Sequence, residues 1–418
     1  MRKLLLASVA LGVAAYLPSA AQAQSPTFPT TTTSGKLDGA APGSVTVSLG
    51  FTLQTSIIGE GGTGSSGANG KTFPQFLNWY HFFPSFDYVN PAGIHFGTKA
   101  EIRNNGVPQG EANGGNTFYI QQVQGYVSSD RIGEFAFGLP NGALDDLGVG
   151  TGDDWGNGLF YSWFAPPNFP TWSMADSYDG DTPRQKLLYE SPTFAGFKAG
   201  ISYQPNDVAI NLSTGLTNGN PVTGPDTWAH PQGLARNRIE AVLRFDRTFG
   251  PLGVKANIGG AWSGVESSYG GPAYQDVSYG NGGLVLTYAG FELEGSISTG
   301  QWNAYCGAGA VAGSCAFSPG GPAPSGSDAS VAWDVGFGYN MGPYGIGFTW
   351  YDLNFDDLQA GGAVGGHMDH SYGPGIGGSY VVGPGVTLQL DAYTYKTQYF
   401  SHPSTNGDII ALTGVFAY

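Results

Sequence analysis

Residues 188–203 read LYESPTFAGFKAGISY. From Phe197 onward, apolar side chains (Phe197, Ala199, Ile201, Tyr203) alternate with small or polar ones (Lys198, Gly200, Ser202), the period of two expected of a β-strand. A tight Ser-Pro-Thr-Phe-Ala-Gly connection precedes that run, and a second alternating run lies upstream of it. One face of such a strand is greasy, while the other carries a lysine among small polar groups. In a water-soluble two-sheet sandwich the greasy face would be the core. In a membrane barrel it would be the outside.

The same alternation recurs along the chain. Val45–Thr55 sets Val45, Val47, Leu49, Phe51 and Leu53 against Thr46, Ser48, Gly50, Thr52 and Gln54. Comparable runs occupy Ile94–Arg103, Val254–Ser263, Phe291–Gly300 and Val331–Asn340. Between runs, short connections (Asn104–Gly106, Ser128–Gly133, Ser191–Gly196, Thr248–Gly253, Tyr288–Gly290, Asn340–Gly345, Val381–Gly385) take turns with long ones rich in Gly, Pro, Asp and Asn. The long ones lie around residues 59–93, 110–117, 140–183, 205–235, 264–276, 302–328, 356–371 and 401–407. That arrangement predicts an all-β fold: a transmembrane antiparallel β-barrel of 16 strands, with short periplasmic turns and long extracellular loops. A closed barrel satisfies its backbone groups without water, so the greasy face can meet lipid. A soluble sandwich of this size would have to bring long aromatic rows together in one dry core.

The ends and the composition agree with export to an outer membrane. Arg2 and Lys3, the apolar stretch Leu4–Leu17 and the Ala21-Gln22-Ala23 cleavage pattern predict a signal peptide over residues 1–23. A flexible Thr/Pro/Gly/Ser-rich segment is expected over 24–43 and the barrel over 44–418. Without Arg2 and Lys3, 14 basic residues face 31 acidic ones, a charge of about −17 that excludes a nucleic-acid partner. Only 11% of residues are charged, whereas 14% are aromatic and 69 are glycine. Disordered chains lack such aromatic content. Cys306 and Cys315, separated by eight residues, are expected to form a loop disulfide in an oxidising compartment.

Several stretches are specific. Tyr189, Ser191, Pro192, Phe194, Gly196, Phe197, Gly200 and Tyr203 resemble the strand–turn–strand motif of the 16-stranded, trimeric, general-diffusion porins of Gram-negative bacteria. SDRIGEFAFG (129–138) resembles the strand leading to that family's third loop, and NMGPYGIGFTWY (340–351) its later Gly-Pro hairpin. The final Phe416-Ala417-Tyr418 resembles the terminal signal read by the barrel-assembly machinery. The resemblance implies a homotrimeric channel in the outer membrane, passing ions and small hydrophilic solutes, with the third loop folded into the pore. It also implies acidic residues on that loop facing basic residues on the wall. Here those acids are Asp145 and Asp146 in a one-turn helix over Ala143–Leu147, followed by Asp153 and Asp154. Alternation points Lys99, Arg103, Lys198, Arg238, Arg244 and Lys255 inward as the wall bases. Excess acid near the constriction would favour cations, since charged rings are how pores discriminate among ions.

Other chemistry finds less support. Aromatics on the inward parity are scarce in the clearest strands, against a sugar- or nutrient-selective channel, although the third loop carries Trp155, Phe160, Tyr161, Trp163, Phe164 and Trp172. Trp79, Tyr80, Phe82 and Phe83 are read as first-loop residues that pack or join an aromatic girdle, with Tyr288, Phe416 and Tyr418 in the periplasmic belt. No strand presents the outward Ser–His pair an outer-membrane lipase would need, so no enzyme activity is expected. His367 and His370 are two metal-ligand types where a structural zinc needs four. No metal or cofactor is expected; the Gly152–Asp154 and Asp179–Asp181 carboxylates are the ones a loop-bound calcium would use.

Overall fold

Sixteen strands form one closed antiparallel barrel. They are β1 (Val45–Gly62), β2 (Gln75–Val89), β3 (His95–Asn104), β4 (Tyr119–Ser129), β5 (Gly133–Leu139), β6 (Lys186–Glu190), β7 (Phe197–Asn206) and β8 (Ala235–Phe249). They continue as β9 (Leu252–Val265), β10 (Val277–Tyr288), β11 (Phe291–Gln301), β12 (Ser330–Met341), β13 (Tyr344–Asn354), β14 (Met368–Gly383), β15 (Val386–Tyr399) and β16 (Thr405–Ala417). Each strand pairs with its neighbours in sequence, and β1 closes the ring by pairing with β16 from Thr52↔Ala417 to Gly62↔Gly407. The structure, a computed structural model, describes residues 42–62, 75–104, 118–149, 185–206, 210–211, 216–217, 220–221, 235–265, 277–301, 330–354, 368–399 and 403–417. A helix, α1 (Ala143–Leu147), follows β5, and three two-residue strands between β7 and β8 make a small separate sheet.

The alternation sorts side chains inside out. Val47, Ile258 and Phe194 on the outer face are 74%, 68% and 81% exposed, whereas Glu101, Gln204, Glu240 and Thr413 on the inner face are buried. Exposed apolar side chains on the outer face of nearly every strand are stable only against acyl chains. Aromatic pairs band the short-turn end: Phe197 with Phe245 at 4.8 Å, Phe291 with Tyr339 at 4.4 Å, and Tyr344 with Tyr380 at 5.0 Å. Arg247 lies 5.4 Å over Phe249 in the same belt. Tyr80, Phe82 and Phe118 cluster on the outer face toward the long-loop end.

The opening stretch resolves into β6, a two-residue hairpin and β7. Phe194 and Phe197 exchange both backbone hydrogen bonds (2.8 and 2.9 Å), and the residues between them, Ala195 and Gly196, have φ of 53° and 91°. Ala289 and Gly290 repeat this at φ 50° and 85° between β10 and β11. Positive φ at both central positions is the turn whose twist matches antiparallel strands, and glycine supplies the second position without steric cost.

The strand count agrees with the sequence reading, but its first quarter is built differently. The stretch 59–93, read as one long loop, contains the end of β1, all of β2 and most of the short turn 90–94, while the supposed short turn Asn104–Gly106 begins the connection from β3 to β4. Tyr80 and Phe82 therefore belong to the outer face of a strand and not to a loop. In β2 the aromatics fall on both faces, with Phe83 inward next to His81 and Pro84 outward, so the period of two is masked. Residues 1–41, Trp155, Phe160, Tyr161, Trp163, Phe164, Trp172, Cys306, Cys315 and Tyr418 lie outside the described residues.

Candidate channel lining and constriction

The third long connection leaves β5 and lays α1 on the inner wall. Leu144 and Leu147 pack on inward positions of β7–β9, where glycine leaves the space they fill. A Cβ at Gly259 would stand 2.5 Å from Leu144 Cδ2, and one at Gly200 would stand 2.8 Å from Leu147 Cδ1. A Cβ at Gly283 would overlap the carbonyl oxygen of Val149. The Leu144 N–H donates to Glu240 Oε2 (3.3 Å), the Ala143 N–H to Ser202 Oγ (3.2 Å) and the Val149 N–H to Asn257 Oδ1 (3.1 Å). Gln122 Nε2 donates to Asn141 Oδ1 just before the helix.

The predicted wall bases do point inward, and each of five sits beside a carboxylate. Lys99 is 3.8 Å from Glu134, Arg103 2.5 Å from Glu101, Lys198 2.6 Å from Glu190, Arg238 3.2 Å from Glu240, and Arg244 3.2 Å from Asp246. Lys255 faces Asp246 across the β8–β9 ladder. Arg238 is 2% exposed and donates to Tyr279 Oη (2.8 Å), so it is packed into the wall, as Glu294, Asp334 and Asp391 are on the other half. Two histidines join this side: His81 lies 2.8 Å from Glu101, and His95 Nδ1 lies 2.8 Å from Asp87, which also accepts from Tyr126 Oη (2.7 Å).

Asp145 and Asp146 lie on α1. The helix that carries them packs on β6–β9, in the same half of the wall, with Lys99 the cation that relieves Asp146. Among the described residues the inward bases lie on β3–β9, and α1 packs on β6–β9 of that same stretch of wall. Asp153 and Asp154, Asp179 and Asp181, and His367 lie outside the described residues, and His370 bonds Asp352 (3.1 Å) on the outer face.

The other half of the wall differs. On β10–β16 and β1 the inward charges with described side chains are Glu292, Glu294, Asp334 and Asp391, and the sole Lys or Arg among the described residues there, Lys396, sits on the outward parity. Ser296 Oγ donates to Asp334 Oδ1 in this region.

Residues 7–398 match the family model described as Gram-negative porin. The chain belongs to the Gram-negative porin family. Structural comparison agrees on the fold. OmpF of Salmonella typhi in complex with daunomycin has a TM-score of 0.58 at 10% identity, over 89% of this chain and 97% of that one. The in-vitro folded trimer form of OmpT from Vibrio cholerae gives 0.55 at 12% identity, covering 90% and 99%. The outer-membrane channel DcaP of Acinetobacter baumannii gives 0.55 at 14%, covering 90% and 97%. Comparison with curated proteins found no match. This porin is an outer-membrane diffusion channel.

Inward aromatics are more numerous in this porin than its clearest strands suggest. Tyr126, Tyr279, Tyr351, Tyr393 and Tyr395 all turn inward. Three of them lie flat over a glycine directly paired on the next strand: Tyr126 over Gly97, Tyr393 over Gly375 and Tyr395 over Gly407. Ser202, Glu240, Asn257, Asn281 and Tyr279, which hold the loop, also escaped the sequence reading. Parity alone places each of them inside, but only the docked helix shows which inward polar groups matter.

Asp146 lies in the loop, outside the strands. Burial, then the carboxylates of Glu190 and Asp145, push its carboxyl well above its ordinary value of 3.8, while Lys99 and Asn141 pull it back. The folded loop thus binds this proton more tightly than the unfolded chain does, and ionised Asp146 opposes docking. That cost is full above the raised value and disappears as pH falls through it. Asp146→Asn is expected to flatten the pH dependence of reversal potential above the ordinary carboxylate value of 3.8, measured under a salt gradient. A wild-type slope in the variant would refute the assignment.

Proposed function

We propose that this porin passes ions and small hydrophilic solutes with a preference for cations, and that it works as a homotrimer in outer-membrane lipid after delivery by the barrel-assembly machinery. The observation that carries the preference is the wall composed of β10–β16 and β1. Among the described residues its inward charges, Glu292, Glu294, Asp334 and Asp391, are all carboxylates. On the opposite wall bases and carboxylates are mixed: Lys99, Arg103, Lys198, Arg238 and Arg244 each stand beside a carboxylate. The net potential of the lumen is therefore negative, which concentrates cations and repels anions. The trimer form of the OmpT neighbour and the trimeric habit implied by the sequence resemblance support the assembly. Tyr126, Tyr393 and Tyr395 are 2%, 5% and 3% exposed, which leaves little ring surface for stacking on a sugar.

Single-channel recording in planar bilayers under a potassium chloride gradient tests this reading. Wild type is expected to show a cation-side reversal potential. The combined variant Glu292→Gln, Glu294→Gln, Asp334→Asn, Asp391→Asn should lower the cation-to-anion permeability ratio roughly two- to fivefold. An unchanged ratio would remove the acidic wall as its source, and a wild-type anion preference would sink the reading itself.

A further inference from the structure

The lipid face changes character over β13–β16. Toward the long-loop end of these four strands its outward side chains include Asp352, His370, Tyr372, Lys396 and Asp408. Asp352, Tyr372, Lys396 and Asn406 are directly paired in turn across the four strands, so they share one rung of the same face. His370 stands one outward position above Tyr372 on β14 and bonds Asp352 (3.1 Å). Tyr372 is stacked between His370, at 4.8 Å, and Trp350, at 6.1 Å. Among the described residues no carboxylate pairs with Lys396, and its neighbours on this face, Tyr372, Thr394, Gln398 and Asn406, all carry hydrogen-bond donors.

The height of this rung decides what meets it. Asp352 follows the belt residue Tyr344 by eight positions, and Asp408 precedes Phe416 by eight. At about 3.3 Å per residue and a tilt of about 40°, that is a rise of about 20 Å, short of the apolar band of about 25 Å. On β9 the outward face stays uncharged for ten positions, from Leu252 to Trp262, or about 25 Å. A charge below the usual edge of the hydrocarbon needs a polar partner, because acyl chains offer it none. Asp352 has His370. Lys396 is surrounded by donors, and a cation among donors is matched by a cluster of anionic oxygens.

We propose that this surface of β14–β16 binds the phosphate of a membrane lipid headgroup drawn down beside the barrel, with Lys396 as the charge and Tyr372, Gln398 and Asn406 as hydrogen-bond donors. The two carboxylates do not cancel that charge: Asp352 is engaged by His370, and Asp408 is paired with Thr394, one outward position below. Trp350 and Tyr372 mark the same level as interfacial, since Trp and Tyr concentrate where hydrocarbon meets headgroups. The proposal depends only on the barrel lying in lipid, and not on what passes through it.

The test is native mass spectrometry of the purified, folded protein in detergent, offered equal amounts of phosphatidylglycerol and of galactosyl diacylglycerol with the same acyl chains. Heat-modifiable gel mobility checks folding of each variant separately. Wild type is expected to retain phosphatidylglycerol in preference to the phosphate-free lipid. Lys396→Gln should lower that retention about fivefold, the worth of one lysine at a phosphate surface, and Lys396→Arg should keep it. Tyr372→Phe, which removes one neutral donor, should lower it about threefold. Thr299→Ala, at the same height on β11, should leave it unchanged. Equal retention of the two lipids by wild type, or wild-type retention by Lys396→Gln, would overturn the proposal. So would displacement of the bound lipid by millimolar inorganic phosphate, which would assign the site to the free ion. A loss of equal size in Thr299→Ala would mean that the whole lipid face sets the preference, and this rung would lose its role.

Discussion

Replacing Ile258 with arginine is expected to cost the folded barrel about 2–4 kcal/mol, the range for a basic side chain on the lipid face near the bilayer centre. Ile258 lies halfway along β9, outward and 68% exposed, so its only favourable surroundings are acyl chains. Three residues earlier on the same strand Lys255 points inward, and Lys255→Ile is expected to be nearly neutral for stability. The pair isolates facing from position along the strand. Urea titration of the protein folded in lipid vesicles, followed by tryptophan fluorescence and gel mobility, would measure both. Equal costs for the two variants would contradict the inside-out assignment of β9.

The second large effect is expected at Gly375. A Cβ there would overlap Cδ1 and Cε1 of Tyr393, whose ring lies over it, and would stand 2.9 Å from Thr349 Oγ1. The backbone on both sides is fixed in the β14–β15 ladder, so the ring must swing off the wall and into the lumen. Gly375→Val should therefore reduce single-channel conductance and cost about 1–3 kcal/mol as an overpacked contact. Removing the ring relieves both effects. Conductance in the double variant Gly375→Val/Tyr393→Ala should return to or exceed the wild-type level. A double variant as restricted as the single one would mean that the ring does not lie where the structure puts it.

The barrel was legible because lipid and water sort side chains so strictly that β7, β9 and β11 read directly from their alternation. β2 did not, because Phe83 shares a parity with His81 and Asp87 and so breaks the polar face. The helix Ala143–Leu147 was foreseen from ALDDL, yet its partners were not. Nothing in the local sequence distinguishes Glu240 or Asn257 from other inward polar residues until the loop returns over them. The wall bases fall on the inward parity, and their nearest carboxylates lie two residues along the same strand (Arg103, Arg238, Arg244), on the adjacent strand (Lys198) or two strands away (Lys99). Pairing therefore changed their meaning from open charges to a largely compensated set.

Lengths of β5 and β6 carry a consequence for the membrane. Seven and five residues, at about 3.3 Å each and tilted by about 40°, rise only about 18 and 13 Å along the bilayer normal, against an apolar band about 25 Å tall. Lipid touching that notch would have to pucker inward, at fractions of a kcal/mol per Å of mismatch summed along the edge. A lone protomer would accordingly dent its surroundings at one azimuth, and flanking the dip with another protein's surface spares the lipid that distortion.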